Sequence, residues 1–104
     1  MSVLLEMSMF PTDKTESKSA YVSEVIKVIH ESGFNYQLTP MATIIETSSM
    51  KEALNIANEC YEVLEKLECN RVYATLKFDI RKNYKNRMKQ KVESIRSKIA
   101  DVNT

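Results

Sequence analysis

The order of hydrophobic periodicities along this chain constrains its fold more than any other feature of the sequence. From Val3 to Phe10 apolar residues alternate, with Glu6 and Ser8 among the intervening positions, and a clearer alternation runs from Arg71 to Ile80. A period of two residues is typical of β-strands, whose successive side chains point to opposite faces. Two stretches with helical spacing and two shorter apolar runs lie between these strands, so the predicted order is β-α-β-β-α-β.

Each predicted helix has its own start or stop signals. Ser17 or Ser19 is placed to cap the first helix, and Gly33 ends it, because glycine adopts a left-handed cap without steric cost. The second helix follows the pair Ser48-Ser49, either of which is a suitable cap. Glu52 lies three residues after the second of these serines, which completes a capping box.

The two middle strands are short and are separated by a proline. They are predicted over Asn35–Thr39 and Met41–Thr47, and Pro40 either bends one long strand or forms a bulge on an edge. Both helices then have to cover one face of a four-stranded antiparallel sheet. We therefore predict a single domain over residues 1–104, with an α+β, ferredoxin-like βαββαβ sandwich and an additional C-terminal helix.

The predicted C-terminal helix, from about Arg87 to Val102, has a narrow apolar seam on a surface otherwise rich in lysine and arginine. Such a seam favours docking against a neighbouring element or another chain. Apart from this segment, the sequence offers nothing to cover the second face of the sheet, where Leu4 and Tyr73 would be exposed. Because monomers rarely leave so large an apolar patch in water, we expect a homo-oligomer assembled through this open sheet face.

The net charge of +1 hides an uneven distribution. Residues 1–80 contain seven basic and twelve acidic residues, whereas residues 81–104 contain eight basic and two acidic residues. A basic C-terminal segment is compatible with a nucleic acid or an acidic partner, but the near-neutral overall balance argues against a dedicated nucleic-acid-binding protein. We expect a solvated loop and helix face, and no nucleic acid.

The sequence also limits the cellular context. It has no run of about eighteen apolar residues, so no membrane association is expected, and its N-terminus lacks the pattern of a signal peptide. Cys60 and Cys69 are nine residues apart, whereas metal-binding pairs usually lie closer, and a disulfide framework needs more than two cysteines. We predict two reduced thiols in a cytoplasmic protein, with Cys60 as a small apolar residue.

Few residues are suited to catalysis. His30 is the only histidine, and its place near the end of the first helix favours an interaction with the helix dipole over general acid–base chemistry. Gly33 is the only glycine, so there is no phosphate-binding glycine loop. Glu6 and Asp79 alone would hold at most a weak hard cation. We expect no catalytic residues, no metal site, no cofactor and no enzymatic activity; a small enzyme acting on a heterocycle is the least supported alternative.

Polar residues are concentrated on the predicted open face of the sheet. They are Glu6 and Ser8 on the first strand, Lys77 and Asp79 on the last, and Thr43 or Glu46 on the third. The phase of the third strand stays open, because Ile44 and Ile45 are both apolar. Carboxylates, hydroxyls and an aromatic rim suit a small cationic, hydrogen-bonding ligand. An equally supported interpretation is that these residues only join subunits.

Short motifs in a fixed order resemble those of a known family. They are Glu6-x-Ser8-x-x-Pro11, Tyr21-Val22, Glu31-Ser32-Gly33, Pro40-Met41-x-Thr43-x-x-Glu46, Arg71-Val72 and Lys77-x-Asp79-x-Arg81. Over about residues 3–82, the chain resembles the small thiamine-binding, YkoF-like protein family. The resemblance implies a ferredoxin-like fold, dimers or tetramers in which sheets pack together, and binding of thiamine or its hydroxymethylpyrimidine moiety without catalysis.

From the open face and the motifs together we predict seven ligand-binding residues. They are Glu6, Ser8, Met41, Thr43, Glu46, Lys77 and Asp79. Ala42 and Thr47 depart from the family pattern, which usually has glycine at both positions, and the methyl group of Ala42 narrows a pocket lined by that strand. We therefore expect a non-enzymatic, cytoplasmic binding protein whose ligand lies on the open sheet face at a subunit interface. The alternative is a structural or regulatory homo-oligomer with no small-molecule ligand.

Overall fold

Strands and helices follow one another in the predicted order. In the computed structural model, which describes residues 1–15 and 17–104, the elements are β1 (Ser2–Pro11), α1 (Lys18–Glu31), β2 (Asn35–Leu38), β3 (Thr43–Thr47), α2 (Met50–Lys66), β4 (Val72–Arg81) and α3 (Arg87–Arg96). The α+β class, the βαββαβ order and the additional C-terminal helix are confirmed. The last helix is shorter than predicted, because Ile95 and Ile99 remain about half exposed and give the final turns no packing to stabilise them.

β1 lies inside a sheet with the strand order β2-β3-β1-β4, in which all neighbours are antiparallel. The register places Leu5 opposite Ile45, on the face that α1 and α2 cover. Glu6 lies opposite both Ile44 and Lys77, on the other face, which we call the open face. Successive side chains of a strand alternate between the two faces, so this register decides which residues the site can use.

The core lies between the sheet and the two longer helices. Its buried apolar side chains include Val3, Leu5, Met7, Met9, Val25, Ile29, Ile45, Ala53, Ile56, Ala57, Cys60 and Leu64. The Cys60 thiol donates a weak hydrogen bond to the carbonyl oxygen of Val25 at 3.8 Å, and burial raises its pKa to about 12. The prediction that Cys60 is a small core residue is confirmed, and neither Cys60 nor Cys69 forms a disulfide.

The predicted signals at the helix ends are mostly confirmed. Gly33, just after α1, has a φ of +82°, the left-handed conformation that glycine adopts without steric cost. At the start of α2, Ser49 Oγ accepts the N–H of Glu52 at 3.1 Å, and the Glu52 carboxylate accepts the N–H of Ser48 at 3.0 Å. Ser17 occupies the N-cap position of α1, but its side chain makes no capping hydrogen bond.

The open face is less bare than predicted, because α3 packs on one end of it. Leu4, which was expected to be exposed, is only 9% exposed and shares a cavity lining with Met88 and Val92 of α3. Tyr73, near the opposite end of the open face, is 54% exposed, as expected. The chain therefore covers part of its own open face without a partner.

Candidate functional site

The N-terminus of α3 is held on the open face by a carboxylate from β3. Glu46 accepts hydrogen bonds from the backbone N–H groups of Arg87, at 2.9 Å, and Met88, at 3.2 Å. It also accepts a hydrogen bond from the Ser2 hydroxyl at 2.5 Å. Asn86, the N-cap residue, has a φ of +54° and makes no side-chain capping hydrogen bond. Glu46 therefore supplies the missing cap, and its charge suits the positive end of the helix dipole.

The side chain of Arg87 anchors the same helix. It is only 3% exposed, and it donates from Nε to Ser2 Oγ, at 3.0 Å, and from one terminal nitrogen to the Ser2 carbonyl oxygen, at 2.9 Å. That nitrogen also donates to the Asp79 carbonyl oxygen, and the other terminal nitrogen lies 2.9 Å from the Asp79 carboxylate. Lys91 Nζ, one turn further along α3, lies 3.3 Å from the same carboxylate. Because burying an unpaired guanidinium is costly, these contacts fix the position of α3.

The contacts with α3 favour the ionised form of both carboxylates. Desolvation by burial acts to raise the pKa of Glu46, but the hydrogen bonds from Ser2 and from two backbone N–H groups of α3 outweigh it and hold the pKa below its usual value. Hydrogen bonds from Arg87 and Lys91 lower the pKa of Asp79. Both negative charges are therefore already compensated by groups of α3.

A cavity of about 310 Å³, which we call the α3 cavity, lies between α3 and the open face. Its lining includes the apolar residues Leu4, Ile44, Met88 and Val92 and the polar residues Glu6, Gln37, Lys77, Asp79 and Lys91. The sheet forms the floor of the cavity and α3 forms one wall. A concave, mainly apolar lining with a few convergent polar groups is typical of a small-molecule site.

Two charged residues of the α3 cavity have no partner within the part of the chain that the structure describes. Glu6 is exposed and makes neither a hydrogen bond nor an ion pair with any described residue. Lys77, directly opposite on β4, is exposed and likewise without such a partner. Gln37, half-buried on β2, adds an amide on the same face. The cavity thus offers a ligand one carboxylate, one ammonium and one amide beside apolar walls.

The seven predicted ligand residues do not all lie in one site. Glu6, Lys77 and Asp79 come together in the α3 cavity, as predicted for one face of the sheet. Glu46 is also on the open face, but it caps α3. Ser8 lies on the open face two positions further along β1. Only part of the predicted set therefore surrounds a single cavity.

Thr43 and Met41 do not lie on the open face. Of the two alternatives left open for the third strand, Thr43 and Glu46, the structure places Glu46 on the open face. Thr43, which was included among the predicted ligand residues there, pairs with Met7 and points toward the helices, where it is 4% exposed. Met41 lies in the β2–β3 connection and is 86% exposed. β3 begins after this connection because Thr39 Oγ1 accepts the N–H of Ala42 at 3.1 Å and donates to its carbonyl at 2.7 Å, which closes a turn.

Ser8, Met41 and Thr43 share the lining of a second cavity, of about 510 Å³, which we call the α1 cleft. It lies between α1, the C-terminal part of β1 and the β2–β3 connection. β1 pairs with β3 only as far as Met7, so the cleft occupies the space beyond the last pair. Among its described lining residues, Lys18 carries a charge and none is a carboxylate. The α1 cleft therefore offers hydroxyl groups and a positive charge.

Sequence reasoning missed the residues that build the wall of the α3 cavity. Arg87 belongs to the basic segment that was expected to be solvated, yet it is buried. Its partner Ser2 is 85 residues away in the sequence, and no local pattern signals such a contact. Gln37, by contrast, could have been predicted from the sequence. Tyr36 and Gln37 are neighbours on a short strand, so their side chains point to opposite faces and one of the two has to lie on the open face.

Other candidate sites have less support. Within residues 1–15 and 17–104, no cluster of three or more His, Cys, Asp or Glu residues is arranged to hold a metal ion. None of the helices in the same range has the length and apolar character needed to cross a membrane. His30 is exposed at the end of α1, and its Nδ1 lies 2.6 Å from the Tyr36 hydroxyl.

Comparison with known proteins gives the family. The family model for thiamine-binding proteins matches residues 5–96. A UPF0045 protein of Methanothermobacter thermautotrophicus is 26% identical over 98 residues, which cover 93% of this chain and 99% of that protein. The motifs Glu6-x-Ser8-x-x-Pro11 and Lys77-x-Asp79-x-Arg81 fall within the matched range, so the resemblance drawn from them is confirmed.

Comparison with solved structures also supports the fold and the family. A Methanocaldococcus jannaschii protein has a TM-score of 0.76 at 30% identity, covering 90% of this chain and 95% of its own. A Thermotoga maritima protein, provisionally assigned to thiamine biosynthesis or salvage, has a TM-score of 0.79 at 20% identity and covers 92% of this chain and 100% of its own. The ferredoxin-like fold is thereby confirmed. Because the family model and these relatives span nearly the whole chain, the chain belongs to the thiamine-binding protein family.

Proposed function

We propose that this protein binds thiamine or its hydroxymethylpyrimidine moiety in the α3 cavity, without catalysing a reaction. The observation that carries the proposal is the carboxylate of Glu6, which lies in a mainly apolar cavity and has no partner among the described residues. A ligand that brings a positive charge or an amine donor stabilises such a carboxylate. Although Glu6 is exposed, its free carboxylate favours cationic or amine-bearing ligands over anionic ones.

Thiamine supplies both kinds of group. Its thiazolium ring carries a fixed positive charge, and its aminopyrimidine ring carries an amine that donates hydrogen bonds. In the α3 cavity, Glu6 accepts from the amine or faces the cation, while Gln37 and Lys77 donate to ring nitrogens or to a hydroxyl group. Leu4 and Ile44 cover the faces of the rings. A single small cavity thus matches the polar and the apolar parts of the ligand.

Family membership supports the same class of ligand. The matching family model is that of thiamine-binding proteins, and one structural neighbour is provisionally assigned to thiamine biosynthesis or salvage. In this proposal Glu46 and Asp79 position the wall of the cavity, because both already hold α3. Their contribution to ligand affinity is therefore indirect, through the placement of Met88 and Val92.

The proposed role is that of a carrier or buffer rather than of an enzyme. The described lining of the α3 cavity contains no serine, cysteine or histidine that would serve as a nucleophile or proton shuttle. A cytoplasmic location and a homo-oligomeric state are parts of the same proposal. The cysteines, which form no disulfide, support a reducing compartment.

The α1 cleft is the competing location for the ligand, because Ser8, Met41 and Thr43 line it. Lys18 would repel a thiazolium ring there but would tolerate a neutral pyrimidine. The second candidate function is a structural oligomer with no ligand. It is favoured by the finding that Glu46 and Asp79, two of the predicted ligand residues, already serve contacts within the protein.

Calorimetric titration with thiamine and with hydroxymethylpyrimidine tests the proposal. Glu6→Gln preserves the size of the side chain and removes its charge. Loss of one charge-assisted hydrogen bond, about 1.5–3 kcal/mol, weakens thiamine binding by about one to two decades. The matched control is Glu65→Gln, the same change at an exposed glutamate of α2 outside both cavities, which should bind as the wild type does.

Thr43→Val separates the two cavities. If this change, and not Glu6→Gln, weakens binding, the ligand lies in the α1 cleft and the assignment to the α3 cavity is wrong. Absence of binding heat for both ligands at millimolar concentration would support the structural oligomer. If Glu6→Gln lowers the melting temperature but leaves the affinity unchanged, Glu6 serves a protein contact and not the ligand.

A further inference from the structure

Four residues that line the α3 cavity form a row across the whole width of the sheet. On the open face, Gln37 of β2 lies opposite Ile44 of β3. Ile44 lies opposite Glu6 of β1, and Glu6 lies opposite Lys77 of β4. Because neighbouring strands are about 4.8 Å apart, the row extends over roughly 14 Å. It presents, in order, an amide, an apolar side chain, a carboxylate and an ammonium group.

The two charges at the β4 end of this row are not paired with each other. A carboxylate and an ammonium group on directly opposite residues usually stabilise a sheet by forming a pair. Glu6 and Lys77 have this arrangement, yet neither makes an ion pair or a hydrogen bond with any described residue. Both side chains are exposed, so they are available to a ligand that carries charges of both signs.

A second ammonium group lies at the same end of the cavity. Lys77 and Asp79 are two positions apart on β4, so their side chains share the open face. Lys91 Nζ lies 3.3 Å from the Asp79 carboxylate, and its side chain is 62% exposed. So exposed an ion pair contributes little stability, and Arg87, 2.9 Å from the same carboxylate, still compensates it when Lys91 turns toward a ligand. Two ammonium groups can therefore reach one anionic group.

We propose that the ligand of the α3 cavity is the phosphate monoester of thiamine rather than thiamine itself. This inference rests on the proposed function and adds to it the phosphate group and the orientation of the ligand. The aminopyrimidine ring lies over Gln37 and Ile44, and the thiazolium ring faces Glu6. The phosphate group binds the ammonium groups of Lys77 and Lys91. The order of groups along the ligand then matches the order of side chains along the row.

Charge balance favours the monoester over thiamine and over the diphosphate. Thiamine places its positive charge beside Glu6 but also close to Lys77, and no group of thiamine offsets the repulsion from this ammonium. A phosphate monoester carries a charge of about −1.5 to −2 at pH 7, which Lys77 and Lys91 balance. The second phosphate group of a diphosphate would find no further cation among the described residues that line the cavity.

The size and exposure of the cavity suit this orientation. Its volume of about 310 Å³ is at the lower end of the range for small-molecule sites, so the two rings occupy most of it. The phosphate group then lies at the mouth, where Lys77 and Lys91 are both exposed. Because a phosphate in this position stays partly hydrated, its binding does not require the full cost of burying a charge.

Calorimetric titration with thiamine, thiamine monophosphate and inorganic phosphate tests the inference. The monoester should bind the wild type about tenfold more tightly than thiamine, because it adds charge-assisted hydrogen bonds from the ammonium groups. This preference should decrease as the salt concentration rises, since the groups that bind the phosphate are exposed. Inorganic phosphate lacks the two rings and should bind about a hundredfold more weakly than the monoester.

Substitutions of Lys77 test the role of the ammonium group. Lys77→Met removes the charge at similar side-chain length, so it should abolish most of the preference while changing the affinity for thiamine by less than about threefold. Lys77→Glu should reverse the preference, because a carboxylate repels the phosphate group. The matched control is Lys51→Met, at an exposed lysine of α2 outside both cavities, which should keep the preference. Lys77 is exposed and has no partner among the described residues, so these changes should leave the fold intact.

The same titrations distinguish failure of this inference from failure of the proposed function. Thiamine binding that depends on Glu6, with no preference for the monoester, would support the proposed function and overturn the phosphate assignment. A preference that persists in Lys77→Met would also overturn it, and loss of that preference in Lys18→Met would place the phosphate in the α1 cleft. Inorganic phosphate that binds as tightly as the monoester would indicate a general anion site and contradict the inference. Absence of binding by both thiamine and its monoester would overturn this inference and the proposed function together.

Discussion

Replacing Glu46 by glutamine tests how strongly α3 is held on the sheet. The carboxylate accepts hydrogen bonds from the Ser2 hydroxyl and from the N–H groups of Arg87 and Met88. Glutamine keeps one carbonyl oxygen, but its NH₂ group cannot accept a hydrogen bond. The substitution therefore removes one acceptor and the negative charge at the N-terminus of α3, while the size of the side chain stays almost the same.

The expected loss in the free energy of α3 docking follows from these contacts. One charge-assisted hydrogen bond is worth about 1.5–3 kcal/mol, and a charge at a helix N-terminus adds about 0.3–1 kcal/mol. Because Glu46 is only half-buried, the lower part of this range applies, and we expect the docking of α3 to lose about 2 kcal/mol. The population with α3 undocked should then rise by about thirtyfold, since 1.4 kcal/mol corresponds to a factor of ten.

Native-state hydrogen exchange measures this change directly. The amides of α3 should exchange about thirtyfold faster in Glu46→Gln, whereas those of α2, which the core covers, should keep their rates. Glu65→Gln serves as the control for loss of a negative charge. Unchanged exchange in α3 would show that Glu46 does not hold the helix. An equal acceleration in α2 and α3 would show that the variant destabilises the whole fold, and it would refute the reasoning as well.

Three further predictions concern pH, backbone conformation and thiol reactivity. The contacts with α3 hold the pKa values of Glu46 and Asp79 below their usual values, so both carboxylates stabilise the docked helix fully above about pH 5. This stabilisation is lost as the pH falls through the depressed pKa values, and exchange of α3 amides over a pH series checks this. Gly33→Ala meets no atom within 4 Å, but a φ of +82° strains alanine by about 1 kcal/mol, so the melting temperature from circular dichroism should fall by about 4–8 °C. The Cys60 thiol, with its pKa raised to about 12, should react with a thiol reagent at neutral pH only as fast as the protein unfolds, and rapid labelling of the native protein would contradict its burial.

The order and type of the strands and helices were predictable, because they depend on sequence signals that span only a few residues. The alternation in β4, the stop at Gly33 and the capping box of Ser49 and Glu52 each depend on residues a few positions apart. The phase of β3 was not predictable in the same way, because Ile44 and Ile45 satisfy either phase. The turn closed by Thr39 determines where β3 begins, and with it the face on which Thr43 lies.

The candidate site was predictable only in part, for a similar reason. Glu6 and Lys77 could be placed on one face because each lies in a regular alternation. The wall of the α3 cavity could not be predicted, because it depends on the contact between Ser2 and Arg87 across 85 residues. A basic residue in a basic segment is usually solvated, and nothing nearby in the sequence marks Arg87 as the exception.

The way α3 is anchored has a consequence for the order of folding. Ser2, Glu46 and Asp79, which hold the helix, belong to β1, β3 and β4. These strands meet only through long-range pairing, which is the slow part of folding for such a topology. The docking site of α3 therefore does not exist before the sheet has formed, and the helix docks last. Substitutions of Arg87 should accordingly speed unfolding while leaving the folding rate almost unchanged.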